Sequence, residues 1–155
     1  MGKKEMRMEQ LDIEQLLKEG NTIKIKPQGY SMYPMLVPGR DEVLLAPVGQ
    51  KTLHRGDVIL YRRPGSILVL HRIVSCRGEV FLLTGDNQVA LETVTPEQIR
   101  GILVGFIRNG RYISVQNTTY RLLSSIWLFL RPIRRLISVP VARFKHVFKK
   151  IQASR

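Results

Sequence analysis

Two runs, Asp57-Val-Ile-Leu-Tyr-Arg62 and Ile67-Leu-Val-Leu-His-Arg-Ile-Val74, parted by Pro64-Gly65, decide the fold. Each is short, apolar and bounded by turn residues, which is the pattern of a buried strand and too brief for a helix. The same signature extends outward from them. Thr22-Ile-Lys-Ile-Lys26 alternates apolar and polar residues. Glu42 to Pro47, Glu79 to Leu83 and Ile102 to Ile107 are further strand-like runs. Arg111 to Val115 follows Asn109-Gly110, a dipeptide whose ease at positive φ suits a two-residue hairpin. Pro38-Gly39 and Arg77-Gly78 punctuate the rest. The spacing predicts a mostly β protein, with a coiled antiparallel sheet or small barrel at its centre.

Helical patterns flank this core. Residues 5–19 read as a short amphipathic helix that ends at Gly20 and packs through Leu11, Ile13, Leu16 and Leu17. From Tyr120 the pattern is helical and basic, and Pro132 and Pro140 divide it. Over 141–151 a helix would place Val141, Phe144, Val147, Phe148 and Ile151 on one side, with Arg143, Lys145, Lys149 and Lys150 on the other. The chain of 155 residues is thus read as an N-terminal helix (1–20), a core (21–117) and a basic tail (118–155).

Charge separates these parts. The net charge is +13, yet residues 108–155 carry 11 basic residues and no acid. Such a block attracts phosphate on lipid or nucleic acid. Trp127, Phe129, Phe144 and Phe148 among the basic residues favour an anionic membrane surface. Packing of the tail on the core or on a second subunit is an alternative. Nucleic acid is the poorest fit, since no recognisable binding module accompanies the charge. The N-terminus has no apolar signal region, and Leu122 to Leu130 is far short of the ~20 residues of a spanning helix. A peripheral membrane location is therefore expected, on the cytoplasmic side unless a partner anchors the protein elsewhere. The single Cys76 excludes an intramolecular disulfide, and His54, His71 and His146 are widely spaced. Neither a metal nor a cofactor is expected.

Four segments carry chemistry. Gln28-Gly-Tyr-Ser-Met-Tyr-Pro-Met-Leu36 sets Ser31 in a turn after a strand, near Gly29, whose lack of a Cβ allows close backbone approach. Arg55-Gly-Asp-Val-Ile-Leu-Tyr61 is a turn into a strand. In Val69-Leu-His-Arg-Ile-Val74, alternation sets His71 on the face of Val69 and Ile73, and Arg72 on that of Leu70 and Val74. Leu83-Thr-Gly-Asp-Asn87 is a tight turn. Taken singly, these are also what an ordinary turn serine, a satisfied core histidine and a turn aspartate look like.

In this order the segments resemble the type I signal peptidases and, more widely, the clan that includes the self-cleaving LexA-like repressors. The resemblance covers roughly residues 24–111. It implies a LexA/signal-peptidase-like β core and a serine endopeptidase acting on a peptide or preprotein through an acyl-enzyme. Ser31 falls at the nucleophile. His71 falls where bacterial members and LexA-like proteins carry a lysine base; a histidine at this place is the mark of the archaeal and endoplasmic-reticulum-like branch. Asp86 falls at the supporting acid, with Glu92 a looser match to a further acid. An imidazole suits the role, because it accepts a proton near neutrality while a lysine must first be desolvated. The oxyanion and substrate contacts would come from Gly29, Tyr30 and Met32, with the Ser31 N–H as donor.

Three features depart from the family. No N-terminal anchor is evident, Tyr30 is large for its place, and the extra β-domain of some bacterial members has no room. Two other functions fit the same residues: a LexA-like peptidase that cuts itself or one partner, and an inactive membrane-surface binding module. Removal of the tail from residue 118 onward is expected to leave the core folded.

Overall fold

A computed structural model of the chain describes residues 13–65 and 67–133. The helix expected over 141–151 lies outside these, as do residues 5–12 of the N-terminal one. The described fold is mostly β, a curled antiparallel sheet forming half a barrel. Its strands are β1 (Ile23–Ile25), β2 (Asp41–Ala46), β3 (Val58–Arg63), β4 (Ile67–Arg77), β5 (Val80–Thr84), β6 (Glu92–Val94), β7 (Ile99–Arg108) and β8 (Arg111–Ser114). They are ordered β1-β2-β7-β3-β4-β5-β6, with β8 also on β7. The long β7 organises the sheet: β2 takes one edge, while β3 and β8 share the other end to end.

Alternation sends side chains to two cores, one on each face. Leu60, Leu68 and Leu70 join Val43, Leu45, Leu103 and Phe106 in the first. Ile59, Tyr61, Val69 and Ile73 join Leu83, Val94 and Ile102 in the second. With both faces covered, β3 and β4 read as nearly continuous apolar runs.

Helix α1, residues 13–18 of the described chain, closes one side of the first core. Leu17 is buried there, against Gly101, where a Cβ would lie 3.1 Å from the leucine side chain. Gly20 ends the helix at φ 90°, a left-handed conformation that favours glycine. Glu14 is buried between Arg62 (2.7 Å) and Arg100 (2.8 Å), which tie α1 to β3 and β7.

Helix α2 (Thr118–Phe129) starts at Asn117, whose side chain accepts the Tyr120 N–H at 3.1 Å. It is built into the fold. Tyr120 belongs to the first core, its ring 5.3 Å from that of Phe106. Trp127 Nε1 donates to the Asp86 carbonyl at 2.8 Å, and Arg131 donates to the Val89 carbonyl at 2.9 Å. The idea that everything from 118 onward is dispensable therefore needs revision, since removing α2 would open this core. No helix among the described residues is long and apolar enough to cross a membrane.

Candidate active site

Beyond β1 the chain leaves the sheet through Gly29, at φ 79°, into the turn that carries Ser31. A Cβ on Gly29 would meet nothing within 4 Å, so the glycine is needed for its backbone angle and not for space. Met32, 4% exposed, and Leu36 root the turn in the first core, and the Leu36 N–H donates to the Met32 carbonyl at 2.9 Å. The Tyr33–Pro34 peptide is cis.

This turn is fastened to the one after β5. The Asn87 N–H donates to the Ser31 carbonyl at 2.7 Å. A Cβ on Gly85 would fall 2.6 Å from that carbonyl oxygen and 3.1 Å from Ser31 Cβ. Position 85 thus admits no side chain unless Ser31 moves. Two segments read separately in the sequence form one structure here.

His71 is 1% exposed, on the face of β4 that meets Tyr61. In the β3–β4 register Ile59 stands opposite His71, so Tyr61 is its diagonal neighbour on the same face. The Tyr61 hydroxyl lies 3.1 Å from His71 Nδ1 and donates to Glu92 Oε2 at 2.7 Å. Glu92 Oε1 lies 3.6 Å from Nδ1. Arg63 holds the same carboxylate, through Nε to Oε2 at 2.9 Å and through its terminal nitrogen to Oε1.

The electrostatics fix the direction of these bonds. Burial raises the Glu92 pKa, but the bonds from Arg63 and Tyr61 outweigh it and leave the carboxyl below its usual range. It is ionised and accepts only. Burial and the neighbouring Glu92 raise the Tyr61 pKa, so the phenol keeps its proton and gives it to Glu92. The phenolic oxygen is then left to accept, and Nδ1 must donate. That assigns the tautomer with an unprotonated Nε2. Burial lowers the His71 pKa, Glu92 and Asp86 oppose this, Arg63 reinforces it, and the net is a histidine neutral at neutral pH.

Asp86 occupies another position than the sequence suggests. Its carboxylate, 1% exposed, takes two N–H bonds from Arg72, at 2.8 and 2.7 Å. Arg72 also donates to the Gly56 carbonyl (2.8 Å) and to the Tyr120 hydroxyl (3.2 Å). Asp86 is near enough for its charge to act on His71. Even so, the acid bonded to the tyrosine beside Nδ1 is Glu92. The physical reason is strand alternation: Arg72 points away from His71 and takes Asp86 with it.

Ser31 and His71 line one cleft of about 680 Å³, together with Gly29, Met32, Arg63 and Gln88. Tyr30, 63% exposed, is not among its lining residues. Sequence reasoning missed Gln88, whose side-chain oxygen and Ser31 both crowd the space beside Gly85. It also gave no role to Tyr61, Arg63 or Gly85, although Tyr61 and Gly85 stand within the segments it singled out. No family model matches the chain, and no curated protein matches it.

Proposed function

We propose that the protein is a serine endopeptidase with a LexA/signal-peptidase-like core, acting on a peptide or preprotein from a peripheral position at a membrane. The observation that carries this reading is that Ser31 and His71 line one cleft, with His71 bonded to Tyr61 and, through its hydroxyl, to Glu92. It leaves His71 neutral, with Nε2 as its basic atom.

In the proposed reaction, His71 Nε2 takes the Ser31 Oγ proton as Oγ attacks the substrate carbonyl. The tetrahedral intermediate collapses to an acyl-serine, and the imidazolium returns the proton to the leaving amine. Water then enters, gives a proton to Nε2 and attacks the acyl carbon; this second tetrahedral intermediate collapses as Nε2 returns the proton to Ser31 Oγ, which frees the carboxylic acid and restores Ser31 and the neutral His71. When His71 is charged, Glu92 stabilises it through the Tyr61 hydroxyl, as the acid of a triad does. Gln88 is our candidate for a side-chain oxyanion donor, a role the sequence reading left mainly to backbone. Asp86 serves as a positioning residue for the turn that holds Ser31.

The test is digestion of a defined peptide library, with products identified by mass spectrometry. Wild type should cut where Ser31→Ala and His71→Ala do not. Equal cleavage by Ser31→Ala would remove the serine from the mechanism.

A further inference from the structure

Helix α2 has two opposite faces, and the described residues cover only one. Tyr120, Ser124 and Leu128 are buried against the sheet. The other side displays Leu122, Leu123, Ile126 and Phe129, with Ile133 just beyond, at 60, 52, 47, 75 and 47% exposure. Residues three and four apart share a helix face, so these side chains form one continuous apolar strip. A strip of this kind marks an interaction surface. Next to it runs a groove of about 420 Å³, between α2 and the Arg55-Gly56 turn. Ile126, Leu128 and Phe129 give it an apolar wall, and the exposed Arg55 lines it too. Arg55 makes no ion pair or side-chain hydrogen bond among the described residues.

We propose that this face of α2 docks on an anionic lipid bilayer. Charge selects the occupant. From residue 108 to the end the chain has 11 basic residues and no acid. A second copy docked through the same face, or the chain's own last residues, would bring to the strip more of a segment that holds basic residues and no acid. Nucleic acid would satisfy the charge but leave five large apolar side chains against a polar surface. A bilayer with anionic headgroups answers both: acyl chains receive the strip, and phosphates receive Arg55, Arg121 and the basic residues beyond. The sequence from 141 to 151, in which Phe144, Val147 and Phe148 stand among Arg143, Lys145, Lys149 and Lys150, has the same composition. This inference rests on the peripheral membrane position proposed above and gives it a surface; it stands apart from the peptidase chemistry and is tested without any activity.

The full chain is mixed with vesicles of phosphatidylcholine containing phosphatidylglycerol, and with vesicles of phosphatidylcholine alone, then sedimented. Binding to the anionic vesicles is expected, weaker in high salt but not abolished. Leu122→Ser/Phe129→Ser changes only exposed positions and should weaken binding about tenfold or more, from the apolar surface it removes. Arg55→Gln should weaken it about fivefold, at roughly one headgroup contact. Trp127, the one tryptophan, offers a readout that needs no variant: brominated phosphatidylglycerol should quench it. Wild-type binding by the double variant, or no quenching of Trp127 in bound protein, would overturn the proposal. So would a chain that ignores anionic vesicles and forms a dimer which the double variant cannot form; the strip would then belong to a second copy.

Discussion

Replacing Asp86 by Asn should damage the fold more than the chemistry. The side chain it would disturb is Arg72, 1% exposed, whose charge is balanced by the Asp86 carboxylate through two short hydrogen bonds. The other acceptors around the guanidinium are neutral, the Gly56 carbonyl and the Tyr120 hydroxyl. Burial opposes the charge on Arg72, but Asp86 more than restores it, so the arginine stays a cation. Breaking a buried pair by removing one charge costs about 3–5 kcal/mol. Asparagine keeps one acceptor oxygen, which puts the loss near the lower end, ~3 kcal/mol. At this chain length each kcal/mol moves Tm by about 2–4 °C, so a fall on the order of 6–12 °C is expected in a melt followed by circular dichroism at pH 7. The double variant Arg72→Met/Asp86→Leu removes both charges and should melt above the single one. An Asp86→Asn protein that melts like wild type but cleaves no peptide would refute this reasoning. The acid would then belong to the catalytic histidine, as the sequence alone suggests.

Other substitutions separate the remaining parts. Tyr61→Phe should leave His71 Nδ1 without its acceptor and lower kcat/KM about fivefold to 150-fold, at about 1–3 kcal/mol for a buried group left unsatisfied; unchanged pH–rate profiles would exclude the relay. Because burial holds the folded His71 below its ordinary pKa, kcat/KM should rise with pH on a limb below that value and be flat at pH 7. Stability linked to His71 is full above the unfolded pKa and lost as pH falls towards the folded one, and a limb well above pH 8 would name another base. Gly85→Ala should displace Ser31 and cut activity at least tenfold, since overpacking costs about 1–3 kcal/mol; a fully active variant would show that the turn gives way freely. Burial would raise the Asp41 pKa, but Arg108, Arg40 and the Val37 N–H hold it at about 2 against an ordinary 3.8. Its contribution of ~2 kcal/mol, present above pH ~4, should be lost as pH falls to about 2, and Asp41→Asn should flatten that part of the stability curve.

The strands were legible where alternation runs for four residues or more. β3, β4 and the Asn109-Gly110 hairpin follow from local pattern alone, and seven of the eight described strands lie within or near the runs read from the sequence. β6 was not read, because Glu92-Thr-Val94 is too short to show a period. At the site, Ser31 and His71 stood out as polar groups in places where the pattern offers a turn and an apolar strand. The choice between Asp86 and Glu92 depended on register. Arg72 pairs with Thr84 across β4 and β5, and Asp86 follows two residues later, on the arginine's side. Glu92 reaches Tyr61 only because the sheet curls, with β4 and β5 lying between their strands. Neither relation exists in one dimension.

The segment between β5 and β6 shows why the two acids divide their roles. It is held by the Asn87 N–H on the Ser31 carbonyl, Thr84 Oγ1 on the Ala90 carbonyl, and Trp127 and Arg131 on the Asp86 and Val89 carbonyls. Asp86 lies at the buried end of this segment, where an unpaired carboxylate would be costly, and Arg72 supplies its partner. Glu92 lies at the half-buried end, where Arg63 keeps it ionised while it still faces a tyrosine. Each acid takes two bonds from an arginine, but Asp86 lies with Arg72 on the side away from His71, whereas Glu92 also bonds Tyr61 and lies 3.6 Å from His71 Nδ1. An acid shared among Arg63, Tyr61 and His71 can strengthen its bond to whichever becomes more positive. In the proposed mechanism the division follows from depth: the deeper carboxylate would secure the turn under Ser31, and the shallower one would answer to the charge on His71.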